Sequence, residues 1–517
     1  MSTESLISTG LQESSDCPGR RPKMGTPTSV IVVSSVGLVM VIIGIVTGCL
    51  WSMVYDSILL RELTLSPTSQ SFSMWKETPI PMYLKLHLWN WTNPEDFYTG
   101  SGVKPNFVEM GPYVFKEVDY KVNKVWNDNN GTVTFQQRRV WHFVPEMSDG
   151  SLNDRVTNLN TIATTVAYMM RYRDKWVKLA VSALLKITGE KLTVTKTVNE
   201  LLFEGYNDRL LAIASKLEKY NITVLPYDKF GWFYQRNGSD SYDGTFNMLT
   251  GSENIEDLGT IKEWNYSNTS KYYRDSCGVI DGTLGDLWPP LKGKKTVSVF
   301  APDVCTSLNL VYNNTEEYSG LTGDEYVSTK DMLDNGTNVP SRACYCKDVE
   351  CVPSGAFNVS GCKFGAPAFI SLPHFYLADE SYRTAINGMR PRKEEHQFSM
   401  VVEPTAGIPM QVRAKLQLNL MIQSDPHIAI FKNVTRTFIP MLWFKQEANL
   451  SSTLANKVKF VLILPMLGHV TFFGIAGIGF FFVFIGIGLY IRRSHIADDG
   501  QILIPKAENT SAICSDG

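Results

Sequence analysis

The stretch MQVRAKLQLNLMIQ, residues 410–423, alternates apolar and polar side chains over its whole length. A repeat of two residues is that of a β-strand with one face buried and the other in water. A strand this long is typical of an antiparallel sheet that curls into a barrel, so we predict a β-barrel here, with the polar face of the strand in water. The apolar face carries Met410, Val412, Ala414, Leu416, Leu418, Leu420 and Ile422. The polar face carries Gln411, Arg413, Lys415, Gln417 and Asn419.

Other parts of the chain show the same strand pattern. Residues 118–126 and 132–144 are two such runs, and the Asn130-Gly131 pair between them predicts a hairpin turn. Further predicted strands cover residues 83–90, 296–301 and 398–403.

Helical spacing of apolar residues is concentrated between residues 157 and 220. Apolar side chains recur there every three or four positions, which predicts amphipathic helices over residues 158–185 and 198–220. These helices would form a small bundle inserted between the strands. The segment between residues 56 and 460 is therefore predicted to be one α+β domain.

Two long apolar stretches flank this domain, at residues 30–51 and 466–491. A helix of 22 residues spans about 33 Å, close to the ~30 Å hydrocarbon core of a bilayer. Both stretches are therefore predicted to be transmembrane helices. The first is longer than a signal-peptide core and follows a polar tail, so we interpret it as a retained signal-anchor.

Basic residues set the predicted orientation. Arg20, Arg21 and Lys23 precede the first span, and Arg492 and Arg493 follow the second, so both tails are predicted to be cytosolic. The predicted order is a cytosolic tail (1–29), a first span and its exit (30–55), an ectodomain (56–460), a second span (461–491) and a cytosolic tail (492–517).

Acceptor sites for N-glycosylation are dense in the predicted ectodomain, which places that segment outside the cell or in an organelle lumen. The sites are Asn90, Asn130, Asn221, Asn237, Asn265, Asn268, Asn313, Asn335, Asn358, Asn433 and Asn449. Asn509 also matches the acceptor pattern but lies in the predicted cytosolic tail, so we expect it to stay unmodified.

Six of the nine cysteines lie between residues 277 and 362, namely Cys277, Cys305, Cys344, Cys346, Cys351 and Cys362. An even number in a lumenal segment predicts a disulfide framework, and the sequence pattern leaves the connectivity open. Cys344, Cys346, Cys351 and Cys362 also have a spacing that fits zinc. The oxidising compartment disfavours that alternative.

Motifs for catalysis are absent from the sequence. There is no His-Glu-x-x-His pair, no Gly-x-Ser-x-Gly elbow and no glycine-rich phosphate loop. We therefore predict neither an enzyme nor a metal or cofactor site. A net charge of -2 gives no indication of nucleic-acid binding.

Basic residues cluster within and after the first predicted ectodomain helix. Such a patch attracts anionic particles, lipids or carboxylates, so it is the candidate ligand-binding surface; a solvated helix face is the alternative. Its residues are Arg171, Arg173, Lys175, Lys178, Lys186 and Lys191.

The C-terminal tail carries Asp499 four positions before the pair Leu503-Ile504. This spacing is that of the acidic dileucine signal, which clathrin adaptors recognise in endosomal and lysosomal sorting. A pattern this short has low specificity, but its position in a short cytosolic tail favours a sorting signal.

Several stretches, in order along residues 30–491, resemble the class B scavenger receptor family. They are Trp89-Asn90-Trp91-Thr92-Asn93-Pro94, Gly111-Pro112-Tyr113, Glu200-Leu201-Leu202 with Gly205-Tyr206-Asn207-Asp208, Asp303-Val304-Cys305, Ser371-Leu372-Pro373-His374-Phe375, and Val402-Glu403-Pro404 with Gly407. No single one of these stretches is specific to the family, but together they are.

The resemblance implies a β-barrel core with a membrane-distal helical bundle, formed by residues 157–220, that captures ligands. It also implies a hydrophobic tunnel that passes lipid through the barrel to the membrane, with residues 410–422 as one wall. In one member a lysine after the first bundle helix contacts fatty acid; the matching position here is Ile187, beside Lys186. The implied disulfides are Cys277–Cys344, Cys305–Cys362 and Cys346–Cys351.

The resulting expectation is a receptor in the plasma membrane, the endosome–lysosome membrane, or both. Its expected ligands are lipids (fatty acids, sterols, carotenoids) or lipoprotein-like particles. The sorting signal favours an alternative, a lysosomal sorting receptor for a protein partner. A two-helix ion channel is a third interpretation, disfavoured because neither apolar stretch contains Asp, Glu, Lys or Arg.

Overall fold

The computed structural model of the chain describes residues 28–99, 102–217, 227–346 and 351–502. It divides into two compact units. One unit is the part of the chain up to Ser57 together with the part from Val461, and the other spans Ile58–Phe460.

The helices of the described residues are α1 (Thr28–Leu63), α2 (Gln70–Lys76), α3 (Pro94–Tyr98), α4 (Thr161–Met169), α5 (Lys175–Thr188), α6 (Arg209–Leu217), α7 (Glu380–Thr384), α8 (Lys393–His396) and α9 (Ser452–Ile502). The strands are β1 (Met82–Trp91), β2 (Phe107–Asn127), β3 (Thr132–Phe143), β4 (Arg155–Leu159), β5 (Thr193–Thr197), β6 (Tyr206–Asn207), β7 (Lys229–Phe230), β8 (Thr245–Leu249), β9 (Ile261–Trp264), β10 (Thr296–Ala301), β11 (Thr306–Tyr318), β12 (Leu321–Val327), β13 (Ala356–Asn358), β14 (Ala368–Ser371), β15 (Ser399–Glu403), β16 (Ile408–Ile422) and β17 (Thr437–Asn449).

Two helical segments are long and apolar enough to cross a membrane, α1 and the part of α9 from Ser452 to His495, and most of each lies in the first unit. Glycines bring their backbones close together. A Cβ atom on Gly44 would lie only 2.6 Å from the backbone nitrogen of Ala476. Polar side chains join the same pair: the Tyr55 hydroxyl donates a hydrogen bond to the Val461 carbonyl at 2.9 Å.

The second unit is built on a single 13-stranded antiparallel sheet. Its strands follow the order β10-β11-β12-β15-β16-β17-β1-β2-β3-β8-β9, and β14 pairs with both β13 and β16. A segment between the two edge strands joins them, because Ile261 of β9 donates to the Gly282 carbonyl and Phe300 of β10 donates to the Thr283 carbonyl, each at 2.8 Å. The sheet is therefore a nearly closed barrel, and the predicted α+β fold is confirmed.

The predicted strands occur where the alternating pattern placed them. The stretch that predicted the barrel is β16, which pairs with β17 over twelve residue pairs. The predicted hairpin is β2–β3, and Gly131 closes its turn with a φ of 60°. The three shorter predictions correspond to β1, β10 and β15.

The prediction that the polar face of β16 lies in water is wrong for three of its residues. Lys415 is 2% exposed, and Gln417 and Asn419 are fully buried. The segment that follows β14 covers them: the backbone N–H of His374 donates to the Gln417 side chain at 2.9 Å. Burial lowers the pKa of Lys415 to about 8.

The two long helices predicted between residues 158 and 220 are each interrupted. The first prediction covers the end of β4, then α4 and α5. Asn160 starts α4, because its side chain accepts a hydrogen bond from the Ala163 N–H at 3.0 Å. The second prediction covers a π-helix at Glu200–Glu204, then β6 and α6, with a break at Gly205, where φ is 73°. Residues 218–220 lie outside the described residues.

Three disulfides cross-link the second unit. They join Cys277 to Cys344, Cys305 to Cys362 and Cys346 to Cys351, the same pairs that the family resemblance implies. The zinc alternative is wrong, because all four of its cysteines are in these bonds. Among the described cysteines only Cys49, in α1, is free.

Candidate functional site

The barrel encloses a cavity of about 260 Å³. A dry cavity of about 150 Å³ is already large enough to bind benzene in a protein core. Side chains from β1, β2, β3, β10, β11, β14, β16 and β17 line it. The interior of the barrel therefore holds space for a ligand.

The apolar face of β16 forms one wall of this cavity. Ala414, Leu416, Leu418 and Leu420 all line it, and at about 3.3 Å per residue the row is about 20 Å long. Ala414 and Leu418 are only half-buried although they point into the barrel, because the cavity lies against them. The neighbouring strands extend the apolar wall with Ala368, Ile370, Leu442 and Phe444.

Helices and an aromatic segment complete the wall. Ile162 of α4 and Leu211 of α6 line the cavity. Aromatic residues from the segment around β7 join them, and Phe203 packs behind, with its ring centre 5.3 Å from that of Phe233. The lining aromatic residues of this segment are Tyr227, Phe230, Trp232, Phe233 and Tyr234.

Another part of the cavity wall is a buried cluster of charged side chains. Arg236 donates to both oxygens of Asp303, at 2.8 and 3.0 Å, and to Asp243 at 2.9 Å. Burial alone would raise the pKa of the Asp303 carboxyl, but Arg236 and Lys363 hold it well below its usual range. Arg236 and Asp303 therefore form a paired, bidentate ion pair.

Arg139 and Glu117 continue this cluster along β3 and β2. The Nε atom of Arg139 lies 3.3 Å from Asp243 and 3.8 Å from Glu117. Glu117 accepts hydrogen bonds from Trp141 and Gln446, each at 3.1 Å. Burial raises the pKa of Glu117, so this carboxyl holds its proton more readily than a carboxyl in water does.

Lys363 is the least well paired member of the cluster. Its ammonium makes no hydrogen bond with any described residue, and its closest carboxylate oxygen is that of Asp303, 4.0 Å away. Burial lowers the pKa of Lys363, and the charge of Arg236 adds to that effect. About 32% of the side chain is accessible, and it lines the cavity.

The charged cavity residues were not predicted from the sequence. Arg139, Arg236, Asp303 and Lys363 come from distant parts of the chain, and only their fold brings them together. One local signal was present: Asp303 and Lys363 flank Cys305 and Cys362, which the second disulfide joins.

The predicted basic cluster lies instead on and around α5. Arg173, Lys175, Lys186 and Lys191 are exposed. Arg171 is half-buried, with its guanidinium 3.6 Å from the centre of the Tyr168 ring. Lys178 is half-buried and pairs with Asp425 at 2.8 Å. Within the described residues, none of these six side chains lines the cavity.

Large apolar side chains are exposed between these basic residues, and their exposure was not predicted from the sequence. Trp176 is 76% exposed, Ile187 79% and Tyr172 82%. Leu179 is exposed on the same helix. Leu179 lies three residues after Trp176 and eight residues before Ile187, so the three side chains share one face of α5.

The structure also locates the other predicted sites. Asn335 and Asn358 are buried, at 4% and 6% exposed, and glycosylation there stays a prediction that this burial disfavours. Asn221 and the pair Leu503-Ile504 lie outside the described residues, and Asp499 lies in α9. Glycosylation at the remaining acceptors, all exposed or half-buried, stays a prediction.

Two apolar terminal helices and a barrel with an interior cavity define a membrane-anchored binding protein. The CD36 family model matches residues 35–490 of this chain. The chain is 38% identical over 411 residues to "Protein peste" of Drosophila melanogaster, covering 79% of this chain and 73% of the relative.

Two further relatives match most of their own length. "Scavenger receptor class B member 1" of Bos taurus is 32% identical over 461 residues, which is 88% of each chain. "Lysosome membrane protein 2" of Rattus norvegicus is 30% identical over 449 residues, which is 86% of this chain and 91% of the relative. The chain therefore belongs to the CD36 family, the class B scavenger receptors, and the resemblance seen in the sequence is confirmed.

Proposed function

We propose that this protein is a receptor, rather than an enzyme, that binds lipids or lipid-carrying particles and passes single lipid molecules through its barrel to the membrane. The observation that carries the proposal is the cavity with its row of apolar side chains from Ala414 to Leu420. Exposing a hydrocarbon chain to water costs about 0.8 kcal/mol per CH₂ group. An apolar cavity inside a protein avoids that cost.

The exposed face of α5 supports the first step, capture of a particle. Trp176 and Ile187 offer apolar surface, and Lys175, Lys186 and Lys191 offer positive charge beside it. Exposed apolar patches of this kind mark interaction sites, and flanking cations add attraction for an anionic lipid surface. In this proposal the two apolar helices anchor the protein with both tails in the cytosol.

Lipid that co-purifies with the protein tests the proposal. The full chain is expressed, solubilised in detergent and purified, and bound lipids are identified by mass spectrometry. We expect single-chain or sterol-like lipids at a fixed ratio to protein. A protein of the same two-span topology without a barrel is the control for carry-over from the membrane. A lipid content no higher than that of the control would argue against the proposal.

A second candidate function is sorting of a protein partner to lysosomes. The similarity to a lysosome membrane protein and the Asp499, Leu503 and Ile504 pattern favour it. Changing Leu503 and Ile504 together to alanine is expected to raise the amount of protein at the cell surface. A distribution that stays unchanged in surface labelling would remove the support that the tail gives.

A further inference from the structure

The cavity in the barrel reaches the protein surface at one aromatic side chain. Phe364 lines the cavity, yet 52% of it is exposed. Tyr227 also lines the cavity, and its ring meets that of Phe364 edge-on, with the ring centres 5.8 Å apart. The cavity lies on one side of Phe364 and solvent on the other, so this pair of rings closes an opening in the wall.

The backbone of Phe364 adopts a conformation that favours glycine. Its φ is 54°, which crowds the Cβ atom of any residue that has one. A short 3₁₀ helix, Ser360–Lys363, ends here, and the N–H groups of Phe364 and Gly365 both donate to the Ser360 carbonyl. Glycine at position 364 would make the same hydrogen bond without strain. A large apolar side chain that is both strained and half exposed adds little to stability, so this outlier indicates a functional position.

The chain on both sides of Phe364 is fixed, whereas the ring itself is lightly held. Cys362, two residues earlier, is joined to Cys305, and β14 begins four residues later at Ala368. Among the described aromatic rings, only that of Tyr227 contacts the Phe364 ring. Rotation of the Phe364 side chain therefore breaks this one ring contact and leaves the backbone in place.

The opening adjoins the helices that precede the proposed capture surface. A Cβ atom at Gly365 would lie 3.6 Å from the Cγ atom of Met169, the last residue of α4, and α5 begins six residues further along the chain. Met169 is 44% exposed. It therefore brings exposed apolar surface to the edge of the opening, close in the chain to α5.

We propose that Phe364 and Tyr227 form a door through which a lipid enters and leaves the barrel cavity. The inference rests on the lipid-binding function proposed above, and it names the route rather than the ligand. The contact between the two rings is present before a lipid passes and again afterwards, so it adds only to the barrier between the empty and loaded states. The door therefore sets the rates of entry and exit equally and leaves the affinity unchanged.

The rates of lipid exchange test the door. The probe is cis-parinaric acid, a fluorescent fatty acid, excited by energy transfer from the tryptophans of the full chain in detergent; Trp232 lines the cavity. Stopped-flow mixing gives the entry rate, and chasing bound probe with excess unlabelled oleate gives the exit rate. Protein saturated with oleate beforehand gives the background.

The variants are Phe364→Ala and Tyr227→Ala, each of which removes one ring of the door. Tyr266→Ala is the matched control. Tyr266 is also an exposed aromatic residue with a positive φ, at 80% exposed and 65°, but it does not line the cavity.

Opening has to break the edge-on ring contact, so its loss should speed both entry and exit about fivefold in each door variant. We expect the Kd to change less than about twofold, and Tyr266→Ala to behave like the wild type. Unchanged rates in both door variants, slower exchange, or weaker binding at an unchanged entry rate would overturn the door, and each leaves lipid binding by the cavity in place. If the wild type gives no probe signal above background, this inference and the proposed function both fail.

Discussion

The imidazole rings of His374 and His396 stack with their centres 4.1 Å apart. Both side chains are buried on the outer face of the barrel, at 5% and 1% exposed. Each Nδ1 atom accepts a backbone hydrogen bond, from Arg390 at 3.0 Å and from Arg392 at 2.8 Å. A ring nitrogen that accepts a hydrogen bond carries no proton, so the His396 ring is neutral in the folded state while its bond lasts.

This pair predicts that acid destabilises the protein between neutral pH and pH 5. Burial and the neighbouring His374 lower the pKa of His396 from 6.5 to about 3. Below pH 6.5 the unfolded chain therefore binds a proton that the folded chain does not, and stability falls as the pH falls. At pH 5 this group alone would cost up to about 2 kcal/mol. The pKa of His87 is also lowered by burial and acts in the same direction.

Thermal unfolding of the full chain in detergent, at pH 7.5 and pH 5.0, measures the effect. We expect a lower melting temperature at pH 5.0 and a smaller drop in the variant His396→Gln. His142 is exposed on β3, so His142→Gln is the matched control and should behave like the wild type. An unchanged drop in His396→Gln would show that this histidine does not set the pH dependence.

Local pattern was enough to predict six of the described strands, β1, β2, β3, β10, β15 and β16, because side-chain alternation along a strand is a property of neighbouring residues. Leu416 and Leu418 were placed correctly on the inner face for that reason. The long strands β11 and β17 were not predicted. Lys415 and Gln417 looked equally clearly like surface residues, yet they are buried. The segment that contains His374, more than 40 residues away in the sequence, buries them. A local sequence pattern cannot predict such a distant contact.

The two candidate sites differ in the same way. The basic residues of α5 are neighbours in the sequence, so their clustering was visible, whereas Arg236 and Lys363 meet only through the barrel. The exposed Trp176 was missed because helical spacing was taken to mean a buried face. The end of α4 near Met169 was missed because apolar spacing continues across it; the Asn160 and Asp174 caps mark the two separate helices better.

Filling the cavity is predicted to prevent lipid binding. Leu418 is half-buried and points into the free space, so Leu418→Trp would occupy volume that a ligand needs. We expect the amount of co-purifying lipid to fall at least about fivefold, which corresponds to about 1 kcal/mol of lost binding free energy. Gln411→Trp, on the opposite face of β16, is the control and should retain its lipid. Equal lipid in both variants would mean that the ligand binds elsewhere.

Because the two apolar helices pack closely, replacing Gly44 by a residue with a large side chain is predicted to destabilise the protein. A Cβ atom there would lie 2.6 Å from the Phe472 carbonyl oxygen, so Gly44→Leu cannot fit without moving α1 away from α9. We expect it to lower stability by about 1–3 kcal/mol and to reduce the amount of protein at the cell surface. Gly477 lies in the same pair of helices and has nothing within 4 Å of its Cβ position. Gly477→Leu should therefore be tolerated, and a similar loss in both variants would point to hydrophobicity rather than packing.

The disulfides are predicted to differ in their contribution to stability. The bond between Cys305 and Cys362 closes a loop of 57 residues, and the bond between Cys346 and Cys351 a loop of 5 residues. Chain entropy gives about 4 kcal/mol for the first and about 2 kcal/mol for the second. Replacing both cysteines of a pair by serine should thus lower the melting temperature more for Cys305 and Cys362. The reverse order would mean that loop entropy does not decide their contributions.

The surface of α5 predicts how the protein captures particles. Lys178 pairs with Asp425, so a charge reversal there would also break a structural ion pair. The informative variant reverses only exposed cations, with Arg173, Lys186 and Lys191 all changed to Glu. We expect binding of vesicles that contain phosphatidylserine to fall about tenfold or more, since each cation near an anionic surface is worth about 1 kcal/mol.

Trp176→Ser should weaken binding to neutral vesicles as well, because it removes apolar contact rather than charge. If flotation with vesicles shows that the triple reversal binds anionic vesicles as well as the wild type does, α5 is not the capturing surface, while the cavity and its lipid would be unaffected.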